Sequence, residues 1–344
     1  MQKRHKLIAI VASSVVLCLL IAIGIAYYYL YTPVSAKAET TYLYIDSDDD
    51  ADSVYTKLQA CCEVQSLKGV KPMANYYDYQ NNIRTGRYEI GTSDNALTIV
   101  RRLKTGNQTP INLTIPEAKT LDRLAGKLAK KLMVDSLSLV SLFCDSAVCA
   151  DYGYSIETMP AMFVPNTYSV YWDTSAEQLM KRISKEHKAF WNKDGRMEKA
   201  EKIGLTPVEV ATLASIVDEE TANKGEKPMV AGMYINRLRI KMPLQADPTI
   251  KFALKNFALR RIYNSMLKAD NPYNTYKNAG LPPGPIKIAS IAGIDAVLNH
   301  AEHPYLYMCA KEDFSGTHNF AKTYREHLQN AARYRKALNE RNIK

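Results

Sequence analysis

The first apolar feature of the chain is an unbroken run, LIAIVASSVVLCLLIAIGIAYYYL at residues 7–30, which carries no charge and closes on Tyr27, Tyr28 and Tyr29. As a helix its 24 residues are long enough to cross the hydrocarbon core of a bilayer, and the tyrosines suit the outer interface. A cleaved signal peptide is the competing reading, with Ala36-Lys37-Ala38 as the small-residue site. The apolar run is longer than a usual signal core, however, and that site lies several residues beyond it. After a polar linker at 31–40 the patterns shorten. TYLYI at 41–45 predicts a strand, and the acidic run at 46–52 a turn or helix start, since it lacks the ligand order of a calcium loop. Residues 84–90 predict a turn into a second strand. Ser93 then caps a helix through NALTIVRRLKTG, INLTIP at 111–116 is a strand ended by Pro116, and a helix follows over 118–132. The alternation of short strands and helices before that last helix predicts a small α+β module over residues 40–115.

The pattern at 136–155 fits either one helix or two broken near Asp145 and Ser146, and Cys144 and Cys149 either pair after export or remain buried thiols. The aromatic stretch at 163–172 either binds sugar faces or packs, and packing is favoured. Helical spacing resumes at 175–192, and a further helix starts at Thr206-Pro207-Val208-Glu209, a capping box with proline in the first turn. Val210, Leu213, Ala214 and Val217 give this helix a broad apolar face. Glu220 stands near the end of that face. Poor solvation there raises a carboxyl pKa, so that the group keeps a proton to donate as a general acid. The same Asp218-Glu219-Glu220 triplet also reads as a hydrated helix end. Asp218 does not share a helical face with Glu220, which makes it a weak partner for paired-carboxylate chemistry.

Composition narrows the class. With 344 residues, 47% hydrophobic and 23% charged, the chain holds more than one module's worth of core and is neither disordered nor fibrous. Six cysteines without a CxxC pair exclude a disulfide scaffold and the usual zinc spacings, and His300, His303 and His318 make no persuasive metal set. The net charge of +10 comes without a nucleic-acid recognition motif. Lys3, Arg4 and Lys6 belong to a short leader (1–6) that keeps the N-terminus cytoplasmic by the positive-inside bias. The remaining excess suits anionic envelope polymers or lipid headgroups.

Three separated motifs, LASIVDEETANKGEKPMVAGMYINRLRIKMPLQADPTI at 213–250, NPYNTYKNAGLPPGPI at 271–286 and GTHNF at 316–320, resemble in content and order the MltG/YceG-like family of endolytic murein transglycosylases. The resemblance is close over 200–325 and general before it. It implies an α+β chain with a transmembrane anchor (7–30), a linker (31–40), a small LysM-like substrate-binding module (41–155) and a larger mixed α+β YceG-like catalytic domain (156–344), its catalytic glutamate on a buried helix. By the family pattern Glu220 is the acid/base, and Asp218 stands where the family often has a first glutamate. The implied reaction is non-hydrolytic. Glu220 protonates the oxygen linking N-acetylmuramic acid to N-acetylglucosamine, then takes the proton of the muramic acid 6-hydroxyl as that oxygen closes on C1 to leave a 1,6-anhydro end.

Substrate contacts are expected from Asn236, Arg237, Gln245, Asp247, Tyr273, Asn274, Thr275, Tyr276, His318 and Asn319. The plain alternatives are an ion pair for Arg237, turn capping for Gln245 and Asp247, and a structural role for His318. No cofactor or metal is required. The implied partners are peptidoglycan glycan strands, cell-wall synthases or division and elongation proteins, and the bacterial inner membrane, with the catalytic domain periplasmic or extracytoplasmic. A noncatalytic glycan-binding or scaffold protein of the same machinery is the other class that the features fit.

Overall fold

A computed structural model describes residues 2–64, 67–259 and 261–341. The chain divides into two compact units: residues up to 112 together with 169–174, and 113–168 together with 175 onward. The boundary expected at 155/156 therefore shifts. Residues 113–155 were expected with the N-terminal module, yet their core contacts lie with the larger unit.

Unit 1 begins with helix α1 (Gln2–Tyr31), which contains the predicted apolar run and is long and apolar enough to cross a membrane. Next come β1 (Thr41–Ile45), α2 (Ala51–Cys62), α3 (Val70–Tyr76), β2 (Gly86–Ile90) and α4 (Ala96–Thr105). β1 and β2 pair antiparallel, Thr41 opposite Ile90 and Ile45 opposite Gly86. Alternation along β1 buries Leu43 and Ile45 against Val54 and Leu58 of α2 and Ile99 and Leu103 of α4. The acidic run is a turn into α2: Asp50 caps it through Ser53, while Asp46 and Asp49 pair with Lys57. Asn95, not Ser93, caps α4, accepting from the Thr98 amide at 2.9 Å. Trp172 packs edge-on against Tyr44, ring centroids 5.0 Å apart.

β3 (Ile111–Thr114) and β4 (Thr167–Val170) form a second two-stranded sheet, and the chain passes between units within these strands. Unit 2 then holds α5 (Leu121–Ala129), α6 (Ser136–Phe143), α7 (Ser146–Asp151), α8 (Ala176–Trp191), α9 (Arg196–Ile203), α10 (Pro207–Glu220), α11 (Lys227–Arg239), α12 (Asp247–Ala253), α13 (Ile291–Leu298), the hairpin β5 (Tyr307–Ala310) and β6 (His318–Ala321), and α14 (Tyr324–Glu340). The ambiguous stretch 136–155 is two helices, broken where Asp145 turns its carboxylate to cap α7. Cys144 and Cys149 are both free thiols, the first exposed and the second buried. Phe163 is buried edge-on against Phe143, so this part of the aromatic stretch packs.

Helix α10 is the axis of unit 2. Its capping box, Thr206 with Glu209, is formed as the sequence predicts, and every residue from Val210 to Val217 is buried. A helix buried on all sides must be surrounded by other elements. Here α11, α13 and the loop carrying Leu244 and Ala246 supply Val230, Tyr234, Ile294 and Val297 to the same core. The helix ends at Thr221, whose backbone is extended, with φ −143°. Glu220 is thus its last helical residue.

Candidate active site

Glu220 opens onto a cavity of about 230 Å³ in unit 2. α11 contributes Tyr234 and Arg237, the turn into α12 contributes Gln245 and Asp247, and Tyr276, Met308, Cys309, Ala310 and His318 complete the lining. Glu220 as a residue is half-buried, and its carboxyl lies deep among protein atoms. Burial pushes it from the ordinary 4.5 up to about 7, opposed by the Tyr234 hydroxyl, which donates to Oε1 at 2.7 Å, and reinforced by the negative charge of Asp247. A carboxyl poised near neutrality can give a proton and take one back at the same pH.

The turn facing Glu220 is pinned from beneath. Gln245 holds a left-handed backbone, φ 50°, a conformation that costs a non-glycine residue about 1 kcal/mol or more. The bonds on either side fix it: the Gln245 amide donates to the Thr275 carbonyl at 3.0 Å and the Ala246 amide to Thr275 Oγ1 at 3.0 Å. Thr249 and Thr275 then share a buried hydroxyl contact of 2.9 Å. Asp247, next along, accepts from the Tyr276 hydroxyl at 2.6 Å. Burial, together with that bond, pushes the Tyr276 phenol up.

Arg237 lies in the cavity wall, and among the described residues it forms no ion pair with an acid. Its buried guanidinium donates instead to the carbonyls of Leu306 at 2.6 Å, Leu244 at 2.7 Å and Pro243 at 3.3 Å, tying β5 to the Gln245 turn. Burial holds its pKa below the ordinary value. His318 is oriented by Glu226, whose carboxylate accepts from its backbone amide at 2.6 Å and lies 3.0 Å from Nδ1.

Of the residues expected at the site, the cavity thus gathers Glu220, Arg237, Gln245, Asp247, Tyr276 and His318. The other five have side chains engaged elsewhere. Asn236 donates to the carbonyls of His303 and Tyr305. Asn274, fully buried, donates to Leu267 and Ala269 and accepts from the Tyr276 amide. Thr275 is the pin just described, Tyr273 packs against Phe252 with ring centroids 4.6 Å apart, and Asn319 donates to Glu312 at 2.6 Å. These residues hold the loops that shape the cavity. Tyr234 and Glu226 are not among the residues expected at the site from the sequence. The usable signal was chemical: a tyrosine on an otherwise apolar helix face needs a partner for its hydroxyl. Among the described residues no group of three or more His, Cys, Asp or Glu is arranged to hold a metal ion.

The sequence matches the YceG-like family over residues 43–333. The chain belongs to the YceG-like family. A Bacillus subtilis (strain 168) protein named endolytic murein transglycosylase is 29% identical over 293 residues, spanning 80% of each chain. A protein of the same name from Streptococcus pneumoniae serotype 2 (strain D39) is 28% identical over 300 residues, which are 75% of this chain and 52% of that one, so this chain matches about half the pneumococcal length. Among solved structures, a yceG-like protein from Listeria monocytogenes superposes with a TM-score of 0.57 at 25% identity, covering 85% of this chain and 99% of the other.

In this YceG-like chain the three acids ending α10 have separate partners. Asp218 is buried, paired with Lys227, and accepts from the Ser290 amide at 2.7 Å and hydroxyl at 2.8 Å. Ser290 caps α13, so Asp218 fastens α10 to both neighbouring helices. Glu219 pairs with Lys119 and, at 3.5 Å, with Lys287. Only Glu220 of the three lines the cavity.

Proposed function

We propose that this protein is a membrane-anchored endolytic transglycosylase of peptidoglycan, with Glu220 as its acid and base. Supporting the reading is the Glu220 carboxyl itself, raised to about 7 in a polar cavity. The proton of Glu220 goes to the oxygen between N-acetylmuramic acid and N-acetylglucosamine as the C1–O bond breaks. The muramic acid 6-hydroxyl oxygen then bonds to C1 and its proton returns to Glu220. One carboxyl closes the cycle, and no water is consumed. Gln245, Asp247, Tyr276 and His318 contact the sugar, while Arg237 holds the wall behind them. In unit 1 the β–α–α–β order closing on an antiparallel pair supports a LysM-like, glycan-retaining role. Helix α1 crosses the inner membrane with its N-terminus in the cytoplasm, which keeps the site near strands emerging from cell-wall synthases and favours nascent glycan as substrate.

The test is product mass from purified peptidoglycan in ¹⁸O-water. The expected products end in 1,6-anhydromuramic acid and carry no ¹⁸O, and Glu220→Gln lowers their formation about 10²–10⁴-fold. Reducing ends labelled with ¹⁸O would make the enzyme a hydrolase. Glycan binding without any cleavage would make it a scaffold.

A further inference from the structure

The end of α1 is fastened to unit 1 with almost no free linker. Gly69, which precedes α3, lies so close to it that a Cβ there would sit 1.9 Å from the Tyr29 carbonyl oxygen and 3.1 Å from Ala96 Cβ of α4. The next residues are laced in at once: Pro33 bridges Asn95, the Val34 amide donates to the Asp94 carbonyl at 2.9 Å, and the Ala36 amide to the Cys62 carbonyl at 3.0 Å. Tyr29 closes the apolar run and so marks the membrane interface. Whatever touches its backbone lies at headgroup depth.

Two lysines stand at that place. The Lys68 amine lies 5.6 Å from the centre of the Tyr29 ring, and the Lys71 amine, in the first turn of α3, 5.0 Å from that of Tyr55. Both residues are exposed, and among the described residues neither makes an ion pair. Lys68, held over the Tyr29 ring at the end of the apolar run, keeps its stem on apolar surface and its charge toward phosphate, and Lys71 follows three residues on, over Tyr55 of the unit 1 core.

We propose that the start of α3 is a membrane-surface face on which Lys68 and Lys71 bind the phosphates of anionic lipid headgroups, seating unit 1 on the bilayer. The inference rests on α1 spanning the membrane. It turns the anchor from a flexible tether into a mount with a fixed base, and gives part of the excess positive charge a place.

Lysine acetylation of the full chain, read by mass spectrometry, tests this without any substitution. The chain is reconstituted into phosphatidylcholine vesicles with or without phosphatidylglycerol. Lys68 and Lys71 are expected to react about fivefold more slowly in the anionic vesicles and to recover in 0.5 M salt, the change at about that ionic strength being one of screening. Lys336 of α14, whose side chain is 80% exposed, should react equally in both. Equal rates for Lys68 and Lys71 in a chain that floats with the vesicles would overturn this inference alone. A chain that does not float overturns the anchor as well.

Discussion

The Tyr234 hydroxyl donates to Glu220 Oε1 at 2.7 Å, from a buried tyrosine one helix away from the carboxyl it serves. A donor to a carboxylate stabilises the charged form, so this bond restrains the rise that burial imposes.

Tyr234→Phe removes that restraint without emptying the core. The Glu220 pKa is expected to rise further above 7, by about one unit for a hydrogen bond of ordinary strength. The alkaline limb of kcat/KM should move upward by the same amount, and kcat should fall about tenfold because the carboxyl loses its orientation. An unmoved alkaline limb would mean that the bond does not tune Glu220.

The raised pKa is also a statement about stability. Between about 4.5 and 7 the folded chain keeps a proton on Glu220 that the unfolded chain has lost, so stability falls as pH rises through that window. A rise of this size corresponds to about 3 kcal/mol. Glu220→Gln should match the parent near pH 4 and exceed it by about 2–3 kcal/mol at pH 8 in equilibrium denaturation. A gap that does not change between those pH values would contradict the burial account.

Asp218 holds helices together and lies off the cavity. Replacing it with alanine strands the Lys227 ammonium in the core and frees the start of α13. The expected loss is about 3–5 kcal/mol, read as a drop in unfolding midpoint. Asp218→Asn, which retains an acceptor for Ser290, should lose less.

Gln245 separates stability from function. Glycine tolerates the left-handed backbone that Gln245 adopts at φ 50°, so Gln245→Gly should raise the stability of unit 2 by about 0.5–1 kcal/mol. The same change takes a polar side chain out of the cavity and should lower kcat/KM about tenfold. Opposite signs are the expected result, and a parallel loss of both would mean that the turn needs the side chain to fold.

Thr275 offers the contrasting case. Thr275→Val keeps the shape but leaves the buried Ala246 amide without its acceptor, while the Thr249 hydroxyl keeps its bond to the Ala246 carbonyl, at about 1–3 kcal/mol. Because the hydroxyl points beneath the turn, KM for glycan fragments should stay within about twofold of the parent at temperatures where both are folded. A large KM change would make Thr275 a substrate contact.

Local sequence determined what depends on neighbours along the chain. The apolar run of α1, the alternation of β1, the capping box of α10 and the buried face leading to Glu220 all follow from residues a few positions apart, because helix and strand periods are written at that range. The motif likeness at 213–250, 271–286 and 316–320 carried the family. The tertiary structure decided which polar side chains meet. Asn274 and Thr275 sit beside Tyr276 in sequence, yet their side chains support the loop and that of Tyr276 faces the cavity. Tyr234 lies 14 residues from Glu220, and Glu226 lies 92 from His318. A turn or a short helix can aim adjacent side chains in opposite directions. A buried donor takes whichever acceptor folding brings near, and no local pattern encodes that choice.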